Sequence, residues 1–332
     1  MNLKNKKIAL IGGAGFIGHN LAISLKKSGA NVFVFDSLQV NNLGELSCSE
    51  NSTNKDLYLS FLNQRINLLR ENKVDVHVVD ARDYFLLTRH LNNIKADVTI
   101  FLAAVAHAGK ANKDPYNTFD HSLRTLENSL DALRDTNTHF IYFSSSMVYG
   151  NFKKKKVNEK ENCNPLGIYG ALKYSGEKLV AAYGQVFNMN YTIIRPSALY
   201  GERCISRRVS QIFVENALRS ENLIIDGDGS ESLDFTYIDD LIEGIKLVIK
   251  NKKSLNKIFN LTYGKSEKII NLAKFIATEF NVKIKFKKRD KLMPFRGTLD
   301  IKEAQNILGY NPKYNIYKGV KKYIEWYRRA EK

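Results

Sequence analysis

Residues 12–18 read GGAGFIG, directly after the apolar run IALI and just before the amphipathic stretch HNLAISLKKSGA. A strand that turns this tightly into a helix leaves no room for side chains at the turn. Gly12 is placed to take the turn, Gly15 to let a pyrophosphate approach the backbone across Phe16 and Ile17, and Gly18 to let the helix pack on the sheet. The helix N-terminus then offers free N–H groups and a partial positive charge to phosphates. Asp36 closes the next strand, NVFVFD, near the spacing of about 20 residues at which a carboxylate meets the adenosine ribose. A carboxylate there repels a 2′-phosphate, so the pattern predicts NAD rather than NADP. A glycine turn alone also occurs for packing; the strand before it, the helix after it and Asp36 carry the reading together.

Short β-branched runs alternate with amphipathic stretches along the first 195 residues: KIALIGG, helix 16–28, NVFVFD, helix near 57–71, VDVHVVD, helix near 83–93, DVTIFLAA, helix near 116–135, HFIYFSS, helix near 168–187, YTIIRP. Strands that are apolar throughout and separated by helices specify a parallel sheet covered on both faces. The fold class is therefore α/β, a Rossmann-like doubly wound parallel sheet. Beyond residue 196 the alternation loosens into helices at 206–220, 239–250 and 266–280, a basic strand VKIKFKK and a terminal helix from about 315. We expect an NAD-binding domain over 1–195, joined by the 232–250 segment, and a smaller substrate-binding lobe over 196–332. The crevice at the carboxyl ends of the strands is where such sheets hold ligands.

Composition narrows the class further. Hydrophobic residues at 44% and charged residues at 26% are ordinary for a folded globular chain. No stretch reaches the roughly 18 apolar residues of a membrane helix, and the apolar run at the N-terminus is too short for a signal peptide, so we expect a cytoplasmic protein. Cys48, Cys163 and Cys204 have no CxxC spacing and no histidine cluster beside them, which indicates neither a disulfide framework nor a metal site. The net charge of +17 would attract polyanions. Its lysines are spread along the chain, the one dense run at 153–156 sits in an expected loop, and no nucleic-acid-binding motif accompanies them, so nucleic acid is discounted as a partner.

Tyr169 and Lys173 lie four residues apart in IYGALKYSGE, on one face of an expected helix. A tyrosine hydroxyl ordinarily titrates near 10, and a neighbouring cation is what makes it usable as a base at neutral pH. The strand HFIYFSSSMVYG ends in Ser144, Ser145 and Ser146, at the sheet edge where a hydroxyl can meet a substrate oxygen. Ser, Tyr and Lys beside an NAD turn form a proton-transfer set for alcohol–ketone chemistry.

With those residues in place the sequence resembles the extended short-chain dehydrogenase/reductase family, in its nucleotide-sugar epimerase and dehydratase group. The resemblance runs through GGAGFIG, Asp36, Asp80-Ala81-Arg82, LAA at 102–104, SSSMVYG at 144–150, YGALK at 169–173, RPSALYG at 195–201, DFTYIDD at 234–240 and LGYNP at 308–312. It implies that Asp80 reaches the adenine amino group, that Ala103 and Ala104 line the pyrophosphate and ribose, and that Ala81, Leu102, Ser144 and Pro196 lie beside the same cofactor. It makes Ser145, four residues before Tyr149, the active serine, puts Ser146 at the substrate, and gives Lys173 a second role at the nicotinamide ribose. It also implies a homodimer built on the helices near 116–135 and 168–187.

Within that group the resemblance separates reactions. Related dehydratases carry an Asp-Glu pair after the active Thr, and related decarboxylases a Glu; here those positions hold Ser146 and Met147, neither of which can serve as an acid or base. What remains is transient oxidation at C4 of a nucleotide sugar followed by return of the hydride, a 4-epimerase. A 4-dehydrogenase or reductase, a dehydratase, and a non-catalytic nucleotide-binding or RNA-associated protein are the alternatives. The sequence departs from the family at Ala198, where an Asn is usual, at Leu233, where an Arg is frequent, and at His121 and Arg124. A diphosphate still needs cations, and Arg203, Arg207, Arg208 and Arg296 are the candidates.

Overall fold

The structure is a computed structural model that describes residues 3–48, 53–290 and 292–330. Its centre is a seven-stranded parallel sheet containing β1 (Lys7–Ile11), β2 (Asn31–Asp36), β3 (Asp75–Val78), β4 (Val98–Phe101) and β5 (His139–Phe143). Strands Tyr191–Arg195 and Lys257–Asn260 complete it, and the spatial order is β3-β2-β1-β4-β5, then 191–195, then 257–260. All four residues of β4 are buried, as are the last four of β1 and of β5. This is the continuous apolar signature of strands covered on both faces. Because β1 has β2 on one side and β4 on the other, the chain reverses direction across the sheet there and opens a crevice at the carboxyl ends.

The helices that cover the sheet begin with α1 (Phe16–Lys27), α2 (Leu43–Ser47), α3 (Lys55–Glu71) and α4 (Tyr84–Ile94). They continue with α5 (Ala108–Lys113), α6 (Pro115–Phe119), α7 (Thr125–Leu133) and α8 (Gly167–Phe187). The single helix expected near 116–135 is α6 and α7 joined by a π-helical turn at Asp120–Arg124. Such turns carry one extra residue and re-aim side chains, and here His121 and Thr125 reach the crevice. The sequence pattern ended the sheet at 191–195. The structure adds Lys257–Asn260, a four-residue strand too short for its period to show, paired in register Lys257↔Thr192 to Asn260↔Arg195.

The later segments contribute helices Val209–Leu218, Ile269–Phe280 and Ile316–Ala330, and strands Leu223–Asp226 and Ile284–Lys287 paired in parallel. One apolar cluster runs from Ile8, Leu10 and Leu21 through Phe213 and Tyr237 to Tyr323 and Trp326, so these later helices and one face of the sheet share a core. Asp234 joins the 262–264 segment to Leu299. Fully buried, its carboxylate accepts the backbone N–H groups of Leu299 and Gly264 and the hydroxyl of Thr262, each at 3.1 Å. Those bonds fix the strand Thr298–Leu299, which follows Arg296.

Replacing Asp234 by Ala strands the Leu299 N–H, while the Gly264 N–H keeps the Thr262 hydroxyl oxygen at 3.2 Å, and should cost about 1–3 kcal/mol of unfolding free energy in urea. A loss under about 1 kcal/mol would mean that this carboxylate does not hold the segment.

Candidate active site

The residues named from the sequence converge on one cavity at the carboxyl ends of the strands. Gly12, Gly15, Phe16, Ile17, Gly18 and Asp36 line one end; Asp80, Ala81, Leu102, Ala103 and Ala104 line its wall. Ser144, Ser145, Ser146, Tyr169, Lys173 and Pro196 line the centre, and Arg208 and Arg296 line it too. Arg203 and Arg207 are absent from this lining. Arg203 turns its guanidinium to His19 (3.1 Å) and Glu202 (3.3 Å), and Arg207 faces Tyr58 (3.3 Å) in a neighbouring cavity. Of the four cations proposed from sequence two therefore line this cavity; Arg203 and Arg207 stand at positive φ (62° and 49°) in the loop before the Val209 helix, and sequence alone cannot orient them.

The three glycines do different work. Gly12 has φ +81°, and a Cβ there would lie 2.6 Å from the Ala103 nitrogen; at Gly18 it would lie 2.5 Å from the Gly13 Cα. The protein's own packing forbids both. At Gly15 a Cβ would meet only the Gly12 carbonyl oxygen, at 3.3 Å, and the rest is open. Gly15 also caps α1 with no side-chain hydrogen bond, and the first turn carries no acid. The turn therefore presents bare backbone to the cavity, which fits a pyrophosphate at a helix N-terminus. Asp36 accepts the N–H groups of Ala14 (2.9 Å) and Leu38 (2.8 Å), so it braces the turn from β2. Burial pushes its carboxyl up, and those two bonds oppose the rise. Asp80 is held by Arg82 at 2.6 Å; burial raises its carboxyl, but the Arg82 bonds outweigh it and the net shift is downward.

Tyr169 and Lys173 stand one turn apart on α8, both buried. The Lys173 ammonium donates to the Phe143 carbonyl at 2.6 Å and lies 5.2 Å over the Tyr142 ring. Burial draws it down to about 8, and Glu177 one turn further on opposes the drop. Ser145 follows the end of β5, and its hydroxyl oxygen accepts the Met147 N–H at 3.2 Å, capping a 3₁₀ turn over Ser146–Tyr149. Ser146 and Met147 are buried there, and neither brings a carboxylate. The Lys173 ammonium of α8 thus sits at the end of β5, and it lines one cavity with Ser145 and Tyr169.

Arg208 donates to the Ala106 carbonyl at 2.6 Å, and Arg296 is so enclosed that burial and the neighbouring Arg208 charge pull it down to about 10, against the opposing effect of Tyr169. Neither pairs with a carboxylate among the described residues. Two such cations repel each other, and an anion between or beside them would offset that cost. Sequence reasoning missed Arg65 of α3, a fully buried arginine on the cavity wall that donates through Nε and Nη2 to the Arg203 carbonyl. Nothing in its surroundings in sequence distinguishes it from the exposed arginines of an amphipathic helix. His121 was noted as a departure from the family, and the π-helical turn is what brings it to the wall.

A Rossmann-type sheet whose glycine turn opens onto a cavity at the strands' carboxyl ends is the architecture of a dinucleotide-binding fold. The chain belongs to the NAD dependent epimerase/dehydratase family, which it matches over residues 8–262; its cofactor is NAD. UDP-glucuronate 4-epimerase 4 of Arabidopsis thaliana is 25% identical over 344 residues, spanning 96% of this chain and 75% of its own. The solved UDP-glucuronic acid 4-epimerase of Bacillus cereus, in complex with UDP-glucuronic acid and NAD, is 26% identical with a TM-score of 0.87 and covers 97% of this chain and 99% of its own. The fold also matches the Thermotoga maritima UDP-glucose 4-epimerase with UDP-glucose, at 24% identity and a TM-score of 0.85, over 98% and 100% of the two chains. No helix among the described residues is long and apolar enough to cross a membrane.

The glycine geometry separates two variants. Gly18→Ala should lower stability by about 1–3 kcal/mol through overpacking, whereas Gly15→Ala should leave the urea midpoint nearly unchanged and weaken NAD binding in titration calorimetry. A second expectation concerns Lys173. Its folded-state value near 8 lies below the ordinary 10.5, so between those limits the unfolded chain holds more protons at this position and folding gains stability as pH rises. The Lys173→Met variant lacks that gain, so the parent's stability relative to the variant's should rise from pH 8 to 10.5; a constant difference refutes the assignment.

Proposed function

We propose that this protein is a nucleotide-sugar 4-epimerase. The observation that carries the reading is that Ser145, Tyr169 and Lys173 line one cavity with the glycine turn and with the unpaired cations Arg208 and Arg296. In this reading Asp36 receives the adenosine ribose, Asp80 the adenine, and Gly15 to Ile17 the pyrophosphate. Bound NAD supplies the hydride acceptor and, in the return step, the donor. Tyr169 takes the proton of the sugar hydroxyl and later gives it back, while the positive charge of Lys173 offsets the charge left on the phenol oxygen. Ser145 holds the sugar oxygen by a hydrogen bond, and Arg208 and Arg296 hold the diphosphate. A keto sugar tethered only through its diphosphate can turn and receive hydrogen on its other face. Ser146 and Met147 support this over water elimination, since neither can act as the extra acid or base.

Exposed side chains support a homodimer through α6 and α8. Tyr116 and Phe119 on the first, and Val186 and Phe187 on the second, are solvent-facing in one chain, and burying them against a second copy would remove apolar surface from water.

Incubation with UDP-, GDP-, CDP- and dTDP-sugars, read by NMR, should give a C4-epimeric pair with no net NADH absorbance. Tyr169→Phe should lower kcat by about 100- to 10,000-fold, and Arg296→Met should raise KM about tenfold or more. Accumulation of NADH with a released keto sugar would instead establish a dehydrogenase.

A further inference from the structure

Lys173 and Ser145 belong to different elements, and something must hold them in register. Behind them lies a buried ion pair that no part of the proposed chemistry uses. Glu177, one turn after Lys173 on α8, receives Arg195 through two bonds, Nε to Oε1 at 2.8 Å and Nη2 to Oε2 at 2.6 Å. The side chains are 4% and 3% exposed. The Ser144 hydroxyl donates to the same Glu177 Oε1. Arg195 passes on to the Tyr149 hydroxyl at 2.9 Å, which donates to Asn260 at 2.8 Å. The chain of bonds thus joins the carboxyl ends of β5, of the strand 191–195 and of the strand 257–260 to one face of α8.

We propose that the Glu177–Arg195 pair is the positioning device of the active centre, tying α8 to the end of β5 so that Lys173 stays charged and Ser145 stays in place. The two grips are adjacent: Lys173 holds the Phe143 carbonyl and Glu177 holds the Ser144 hydroxyl, leaving Ser145 as the next residue along. Glu177 also supplies the negative field that a fully buried ammonium needs. The other groups around Lys173 are the Tyr142 ring on β5 and Tyr169 one turn back on α8, neither of them a carboxylate. Arg195 saturates the far side of the carboxylate, so that Glu177 keeps one orientation. A carboxylate held on both oxygens is a rigid support; an unpaired one would shift or take up a proton.

The inference rests on the reading that Lys173 and Ser145 act in turnover, but its central measurement does not need turnover. In full-length protein labelled with ¹³C-lysine, the Lys173 signal is identified by its loss in Lys173→Met and its titration midpoint followed by NMR. In the double variant Glu177→Gln/Arg195→Met, which leaves no buried charge alone, the midpoint should fall by a few tenths to about one pH unit. In Ser144→Ala, which removes one donor and leaves the ion pair, the chain should still fold with melting lowered by only a few degrees, while kcat falls several-fold and KM stays within about threefold. Glu177→Asp should recover part of the Lys173 midpoint lost in the double variant. An unchanged Lys173 midpoint in a folded double variant, or a Ser144→Ala enzyme with parental kcat, overturns the proposal and leaves the epimerase reading standing. Parental protein without turnover of any nucleotide sugar, but with the midpoint shift intact, overturns that reading alone.

Discussion

The structure depends first on a close approach that only hydrogen atoms permit. Gly12 passes within 2.6 Å, measured from a hypothetical Cβ, of the backbone that follows β4, and Gly18 presses α1 onto Gly13. With those contacts α1 sits hard against the sheet, its N-terminus aimed at the crevice between β1 and β4. Everything placed around that crevice inherits the position: the carboxylate at the end of β2, the alanines after β4, the serines after β5 and the face of α8 that carries Tyr169 and Lys173.

Charge then decides what the crevice accepts. Where carboxylates occur they are already engaged, Asp36 by two backbone N–H groups and Asp80 by Arg82. Among the described residues Lys173, Arg208 and Arg296 have no directly paired acid, and burial makes Lys173 and Arg296 easier to deprotonate. Keeping charge in such a place costs stability, and the cost is offset when an anionic ligand arrives. The family's NAD and a sugar diphosphate are ligands of that kind, which connects the electrostatics to the chemistry without appeal to any single residue.

Much of this was legible in the sequence because it depends on local spacing. The glycine turn, the carboxylate at the end of β2, the strand–helix alternation and the four-residue interval from Tyr169 to Lys173 are written within short windows, and steric rules translate them directly. The orientation of Arg203, Arg207 and Arg208 was not legible: three arginines within six residues of one loop look equivalent, and only the packing of α1 and α3 against that loop turns Arg203 to His19 and Arg207 to Tyr58. The strand Lys257–Asn260 was missed for a different reason, since four residues are too few to display a period and its place is won by pairing with 191–195.

The chain by itself determined the layered α/β architecture, the dinucleotide turn and the identity of the hydroxyl, phenol and ammonium groups, because each follows from a repeat or an interval that backbone geometry must obey. Tertiary structure alone decided which cations face the cavity, that a π-helical turn brings His121 to its wall, and that Glu177 and Arg195 meet behind Lys173. Those outcomes depend on elements distant in the chain coming within a few ångströms, and a contact of that sort is fixed by the packing of the whole core rather than by any local pattern.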